Sequence, residues 1–209
     1  MSLYRRHGKR AFDAAGAVLV MPLAGPLMGV IAVALWATQG RPVLFRQHRV
    51  GRDDRDFQIL KFRTMTIGAE GEGQGLWGGA DDPRVTRLGR LLRSTSMDEL
   101  PQLLNVLAGD MSLVGPRPKP REIIDRYRSR YLETLTVRPG LTCTWAIRGR
   151  NRLRRSELIA LDREYVDDVR LWQDVRILLA TVPVVLLRRG FFTENRSEEW
   201  MEDVDPDPV

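Results

Sequence analysis

Residues 94–118, STSMDELPQLLNVLAGDMSLVGPRP, hold the side chains best suited to chemistry. Asp98 and Glu99 are adjacent carboxylates at the head of a short helical pattern. In it Leu100, Leu103, Leu104 and Leu107 recur at i, i+3, i+4 and i+7, which predicts a buried leucine face. With Asp98 as N-cap, Pro101 falls in the first turn, where its missing N–H costs nothing. With Ser96 as the cap, Glu99 completes a capping box. Either reading puts Asp98 at a helix N-terminus, whose partial positive charge and unpaired N–H groups favour an ionised carboxylate and attract phosphate. An Asp so placed can attack phosphorus, although an Asp-Glu pair taken alone is more often a cap and a first-turn acid. Gly109 then stops the helix, and Gly115-Pro116-Arg117-Pro118 hold one guanidinium between two prolines, a frame suited to a bidentate grip on phosphate.

Composition narrows the chemistry further. The 209 residues are enough for one domain with an anchor and a sizeable core. One cysteine excludes an internal disulfide, and with only two histidines a zinc site or a Ser-His-Asp triad is improbable, which leaves carboxylates as the reactive groups. The formal charge is +6, but from Glu194 onward there are seven acids and one Arg, so the first 193 residues carry +12. A body this basic expects anionic partners: phospholipid, nucleotide or nucleic acid.

The elements that must position these groups read in order as follows. Ala14 to Ala37 has no charged residue and is long enough to cross a bilayer. Pro22 and Pro26, with Gly25 and Gly29, interrupt it, and arginines flank it on both sides, so a hairpin that enters and leaves on one face competes with a span. PVLFRQHRVG and DRDFQILKFRTM read as a β-hairpin around Gly51–Asp54, ending at Lys61 and Arg63. Residues 68–80 are glycine-rich, but no βαβ unit surrounds their GxGxxG spacing, so a mobile loop is expected rather than a dinucleotide site. Arg84, Arg87, Arg90 and Arg93 recur at helical spacing. Residues 121–135 read as an amphipathic helix with Ile124, Tyr127, Tyr131 and Leu135 inward. A further helix, capped by Ser156, carries Asp162 and Tyr165. Ile177–Leu187 is too short to span and suits an interfacial or core helix. Asp205–Val209 is acidic, proline-containing and expected to be disordered.

The central block, together with KRAFD at 9–13, KFRTM at 61–65 and RPGLTC at 138–143, resembles the bacterial sugar transferases of the monotopic phosphoglycosyl transferase family, from about residue 9 to about residue 190. The resemblance implies transfer of a sugar-1-phosphate from a UDP-sugar to polyprenyl (undecaprenyl) phosphate, with release of UMP, to start a polysaccharide or glycoconjugate. It implies Asp98 as nucleophile, through an aspartyl phosphosugar, and Asp98 and Glu99 as ligands of Mg²⁺. Arg117 would hold the sugar phosphate, Lys61 and Arg93 would support it, Arg148 and Arg150 would reach the nucleotide, and Asp162 and Tyr165 match the family's D-x-x-Y element. Cys143 stands where a Gly is frequent and Ala146 where a polar residue is usual, a departure that bears on the choice of sugar.

The expected fold is α+β and mostly helical, with a re-entrant helix-break-helix, a small β-hairpin and amphipathic interfacial helices. Its parts are a re-entrant anchor (1–40), a cytosolic catalytic domain (41–193) and an acidic tail (194–209), on the cytoplasmic face of the bacterial inner membrane. The expected partners are a UDP-sugar, a polyprenyl phosphate and membrane phospholipid, with a homodimer as a further option and no nucleic acid. Competing classes are a non-catalytic basic membrane-binding module, which gives the acid pair no role, and a prenyl-diphosphate hydrolase, which would release free phosphate without a nucleotide sugar.

Overall fold

A computed structural model describes residues 3–69, 82–149 and 153–187, together with Val204, Asp205 and Asp207. Most of the glycine-rich loop lies outside the described residues. A π-helical turn, Tyr4–Gly8, leads into helix α1, Lys9–Gln39. The stretch Tyr4–Gln39 is long and apolar enough to cross a membrane. The break expected at Gly25-Pro26 does not interrupt the helix, which runs through both prolines. Two missing hydrogen bonds do not end it because turns before and after them are packed down. Asp13, Ala17, Ala24, Ile31 and Leu35 form one buried stripe, while Leu19 and Leu23 on the opposite side are each 81 % exposed.

Strands β1 (Leu44–Val50) and β2 (Asp56–Phe62) form the expected antiparallel hairpin, with Leu44 opposite Phe62 and Val50 opposite Asp56. Helix α2 (Arg87–Ser94) starts at Thr86, whose hydroxyl accepts the N–H of Gly89, and a 3₁₀ turn, Met97–Glu99, joins it to α3 (Gln102–Ala108). The short β3 (Ser112–Val114) and β4 (Gly140–Thr142) pair in parallel. Between them the expected single helix is three pieces: α4 (Arg121–Arg126), α5 (Arg128–Tyr131) and a 3₁₀ turn, Leu132–Thr136. The helix breaks at Tyr127, whose backbone leaves the helical region, yet Ile124, Tyr127 and Tyr131 are buried as the periodicity predicts. Helices α6 (Thr144–Arg148), α7 (Arg155–Asp167) and α8 (Leu171–Leu186) complete the chain. Arg154, not Ser156, is the N-cap of α7, and the Glu157 carboxylate accepts the Arg154 N–H at 2.7 Å.

The main core joins Ala17 and Ala24 of α1 to Leu103 and Val106 of α3, Leu113 of β3, Tyr165 of α7 and Ile177 of α8. Helix α8 therefore uses one face as core, and its other face leaves Trp172 73 % exposed. Asp207, in the Asp205–Val209 stretch expected to lack structure, and Val204 just before it both meet the body. Val204 packs on the Ile124–Tyr131 cluster, and the Asp207 carboxylate accepts the Ser129 N–H at 2.6 Å.

Candidate active site

Four connections bring the acid pair to its partners. Gly89 allows α2 to lie on the chain leaving β2, since a Cβ there would stand 2.0 Å from the Thr64 carbonyl oxygen. Within that contact Arg93 Nε donates to Thr64 Oγ1 at 2.9 Å. Arg63 Nη2 donates to the carbonyls of Gln39 (2.5 Å) and Gly40 (3.0 Å) and so closes the end of α1, while Nε and Nη1 have no hydrogen-bond partner among the described residues. The chain then turns at Ser96, with φ of 56°, into the 3₁₀ turn that carries Asp98 and Glu99.

Neither side-chain cap expected for this turn forms: Ser96 is left-handed, and Pro101 occupies the N-cap position of α3. The Glu99 carboxylate is taken by two cations instead. Its Oε1 lies 2.8 Å from Lys61 Nζ and 2.5 Å from Arg117 Nη2. Charge-assisted bonds of this kind outweigh the single N–H of a capping box. The expected leucine face is also corrected, because Leu104 points outward while Gln102, Leu103, Asn105 and Val106 are buried. Asn105 explains the shift: its Nδ2 donates to the Gln58 carbonyl (2.8 Å) and its Oδ1 accepts the Leu60 N–H (3.0 Å). The amide therefore extends the free edge of β2 onto α3 and sets Lys61, the next residue, against Glu99.

Arg117 arrives from the other side. A Cβ on Gly115 would lie 2.5 Å from the Arg138 carbonyl oxygen, and one on Gly140 would lie 2.1 Å from the Gly115 nitrogen, so only glycines allow β3 and β4 to close this tightly. Their pairing continues through the Gly140 N–H, which the Pro116 carbonyl accepts at 2.8 Å, and the prolines on either side point the Arg117 guanidinium at Glu99.

The electrostatics split the two acids. Burial alone would raise Glu99, but the charges and hydrogen bonds of Arg117 and Lys61 outweigh it and hold Glu99 well below the usual carboxylate range. Asp98 makes no ion pair among the described residues. Burial, and then the charge on Glu99, push it up to about 6 against the pull of Lys61, Arg93 and Arg117. The pair thus offers one permanently charged carboxylate and one basic, unspent carboxylate beside three cations. Two carboxylates without a third protein ligand suit Mg²⁺, which fills its shell with water and phosphate oxygens. No group of three acidic, His or Cys residues able to hold a metal occurs among the described residues, so such an ion would be shared with substrate.

The other expected site residues are divided. Asp162 is 2 % exposed on α7 and, with Lys119 and Trp145, stands behind Arg117, whose guanidinium lies 5.8 Å from the Trp145 ring. Burial pushes Asp162 up to about 7 against Lys119, Trp145 and Arg117. Tyr165, one turn on, is not there. Its hydroxyl donates to Asp174 Oδ1 at 2.7 Å, in a buried latch where Lys9 Nζ bridges Asp174 Oδ2 (2.8 Å) and Asp13 Oδ1 (3.0 Å). Arg148 pairs with Glu164 at 2.8 Å on the surface. Arg150 lies outside the described residues.

The sequence reading missed Asn105, Lys119 and Trp145 as parts of the site. An Asn in an otherwise apolar helical face and a Lys two residues beyond Arg117 in extended chain were the available signals. It also gave no role to KRAFD. Besides Lys9 and Asp13 in the latch, Arg10 donates to the carbonyls of Val106 (2.5 Å) and Leu107 (2.7 Å), closing the C-terminus of α3.

Known proteins are similar to this chain in sequence. A family model described as bacterial sugar transferase matches residues 4–188. The UDP-glucose:undecaprenyl-phosphate glucose-1-phosphate transferase of Caulobacter vibrioides is 45% identical over 186 residues, covering 85% of this chain and 69% of that protein. The exopolysaccharide production protein ExoY of Rhizobium meliloti is 37% identical over 198 residues, 88% of each chain. The galactosyl transferase CpsE of Streptococcus agalactiae is 39% identical over 193 residues, which are 87% of this chain but 43% of CpsE. The chain thus spans less than half the length of CpsE, and 41% of the UDP-galactose-lipid carrier transferase of Erwinia amylovora. The matched region takes in the latch, the acid pair, the proline-framed arginine and α8 alike, and on that extent the chain belongs to the bacterial sugar transferase family.

Proposed function

We propose that the chain moves a sugar-1-phosphate from a UDP-sugar to a polyprenyl phosphate, undecaprenyl phosphate in the relatives so named, and releases UMP at the start of a polysaccharide or glycoconjugate. The observation that carries this reading is the split acid pair, with Glu99 held charged by Lys61 and Arg117 and Asp98 left unpaired with its pKa raised. A carboxylate whose pKa is about 6 is still mostly ionised at neutral pH and is a stronger nucleophile than an ordinary Asp.

In the first step an Asp98 carboxylate oxygen bonds to the β-phosphorus while the bond from that phosphorus to the UMP oxygen breaks. In the second, an oxygen of the polyprenyl phosphate displaces the Asp98 carboxylate. Arg117 grips the sugar phosphate, and Lys61 and Arg93 add positive charge as the phosphates meet. Mg²⁺, held by Glu99 and Asp98, would supply the remaining neutralisation of phosphate charge.

The way α1 is fastened supports a one-sided seat on the membrane. Its start is tied to the body by Lys9, Arg10 and Asp13, and its end by Arg63 and by Gln39, which donates to Thr86 Oγ1 at 3.0 Å. With both ends fastened to one body, a buried stripe along its length and no break between, the helix lies along one face of the bilayer, by our reading the cytoplasmic face, with Leu19, Leu23 and the outer face of α8 in lipid. The full chain in lipid nanodiscs, given UDP-sugar and Mg²⁺ without acceptor, should release a burst of UMP equal to the enzyme and gain the mass of one sugar phosphate. Release only after polyprenyl phosphate is added, with no mass gain, would overturn the covalent route.

A further inference from the structure

Behind Arg117 lies a cleft whose walls include Lys119, Asp162, Tyr131, Thr134 and the Pro116–Pro118 turn. Two of its charged groups are incompletely used. Asp162 is 2 % exposed; the Trp145 indole and the Arg117 backbone N–H are near enough to favour its charged form, but no hydrogen bond of good geometry reaches its Oδ1. Lys119 makes no ion pair among the described residues, and its ammonium rests only over the Trp145 ring, 5.4 Å from the centroid. The two groups sense each other's charge but do not touch. A buried carboxylate oxygen without a donor is costly, and such groups in native proteins answer to a ligand or to water.

The chemistry of the walls restricts that ligand. A free anion meets Asp162, a cation meets Arg117 and Lys119, and an apolar group would leave Asp162 Oδ1 stranded. A hydroxyl satisfies both walls at once, since it accepts from the ammonium and donates to the carboxylate. We infer that this cleft, which has room for little more than one water-sized group, receives a hydroxyl of the donor's sugar ring, read by Lys119 and Asp162, with the ring itself at the cleft's mouth. This rests on the proposed function, in which Arg117 grips the phosphate joined directly to that ring, whereas the uracil is separated from it by a ribose and a second phosphate. Cys143 is buried nearby, electrostatically close to Asp162, Arg117 and Lys119.

A site that pairs with a hydroxyl discriminates strongly against a donor that lacks it or presents it on the other face, because its own polar groups are then left unpaired. The test uses full-length protein in nanodiscs, as the native chain and as Lys119→Met and Asp162→Asn, with UDP-glucose, UDP-galactose and their N-acetyl forms. UMP release gives kcat/KM for each donor, and competition by UMP gives the nucleotide's own affinity. Each variant should lower the ratio between preferred and disfavoured donors by about tenfold or more, while UMP inhibition stays the same. An equal fall on every donor would reduce the two residues to a structural role, and weaker inhibition by UMP would put the nucleotide in the cleft; either overturns the inference. If the native chain turns over none of the four, the transfer reading fails by itself. Quenching of Trp145 fluorescence, assigned with Trp145→Phe, then decides the subsite: stronger binding of UDP-sugar than of UMP, lost in both variants, supports it, and equal binding refutes it.

Discussion

Two charge clusters share the segment around β3, and they have opposite characters. At its start the Ser112 hydroxyl and Leu113 N–H donate to Asp13, and from there Lys9, Asp174, Tyr4 and Tyr165 close a latch. Every side-chain oxygen of Asp13 and Asp174 has a donor, and Asp174 is 0 % exposed. Three residues past β3, Arg117 enters a cluster of similar composition, yet among the described residues Asp98 there lacks an ion pair and Asp162 Oδ1 lacks a hydrogen bond of good geometry. The same side chains therefore serve as fastening where every lone pair is used, and as chemistry where one is left over. Saturation, more than charge or burial, separates the two.

The contrast is broken most sharply by exchanging an acid for its neutral counterpart in each cluster. Asp98→Asn should lower UMP release by roughly a thousandfold or more, because an amide cannot form the phosphorus bond, and should leave the fold intact. Near-native release by that variant would remove Asp98 from the reaction. Asp174→Ala should do the reverse. Stripping Lys9, Tyr4 and Tyr165 of their shared acceptor should cost about 3–5 kcal/mol in stability, read by chemical denaturation, with the KM for donor unchanged where the protein is folded. A KM effect as large as the stability effect would mean that the latch reaches the site.

Acidity gives a smaller and more discriminating test. Asp98 must be ionised to attack, so kcat/KM should rise with pH through about 6 and then level. Stability should move the other way. The folded Asp98 holds its proton to higher pH than the unfolded chain does, so between about 4 and about 6 the unfolded state loses its proton first and the folded state loses ground. Asp98→Asn should consequently raise Tm at pH 7.5 and have little effect at pH 4, by about 2–4 °C for each kcal/mol relieved. A Tm gain of equal size at both pH values would show that the strain at Asp98 is not electrostatic.

Much of this molecule could be read along the chain. The acid pair, the proline-framed Arg117, the hairpin ending at Lys61 and the uncharged stretch after Ala14 are all local patterns, and each occurs in the structure. Local pattern fixes which residues share a face of an element, because helix and strand periods are set by the backbone. It does not fix what that face meets. Asp162 and Tyr165 lie one turn apart on α7, yet one lines the cleft behind Arg117 and the other closes the latch to Asp174. Glu99 suits a capping box by spacing, but Lys61 and Arg117, 38 and 18 residues away in sequence, claim its carboxylate. Which cation reaches which acid, and which acid is left without one, was decided by the packing of α1, α3 and β3 against one another.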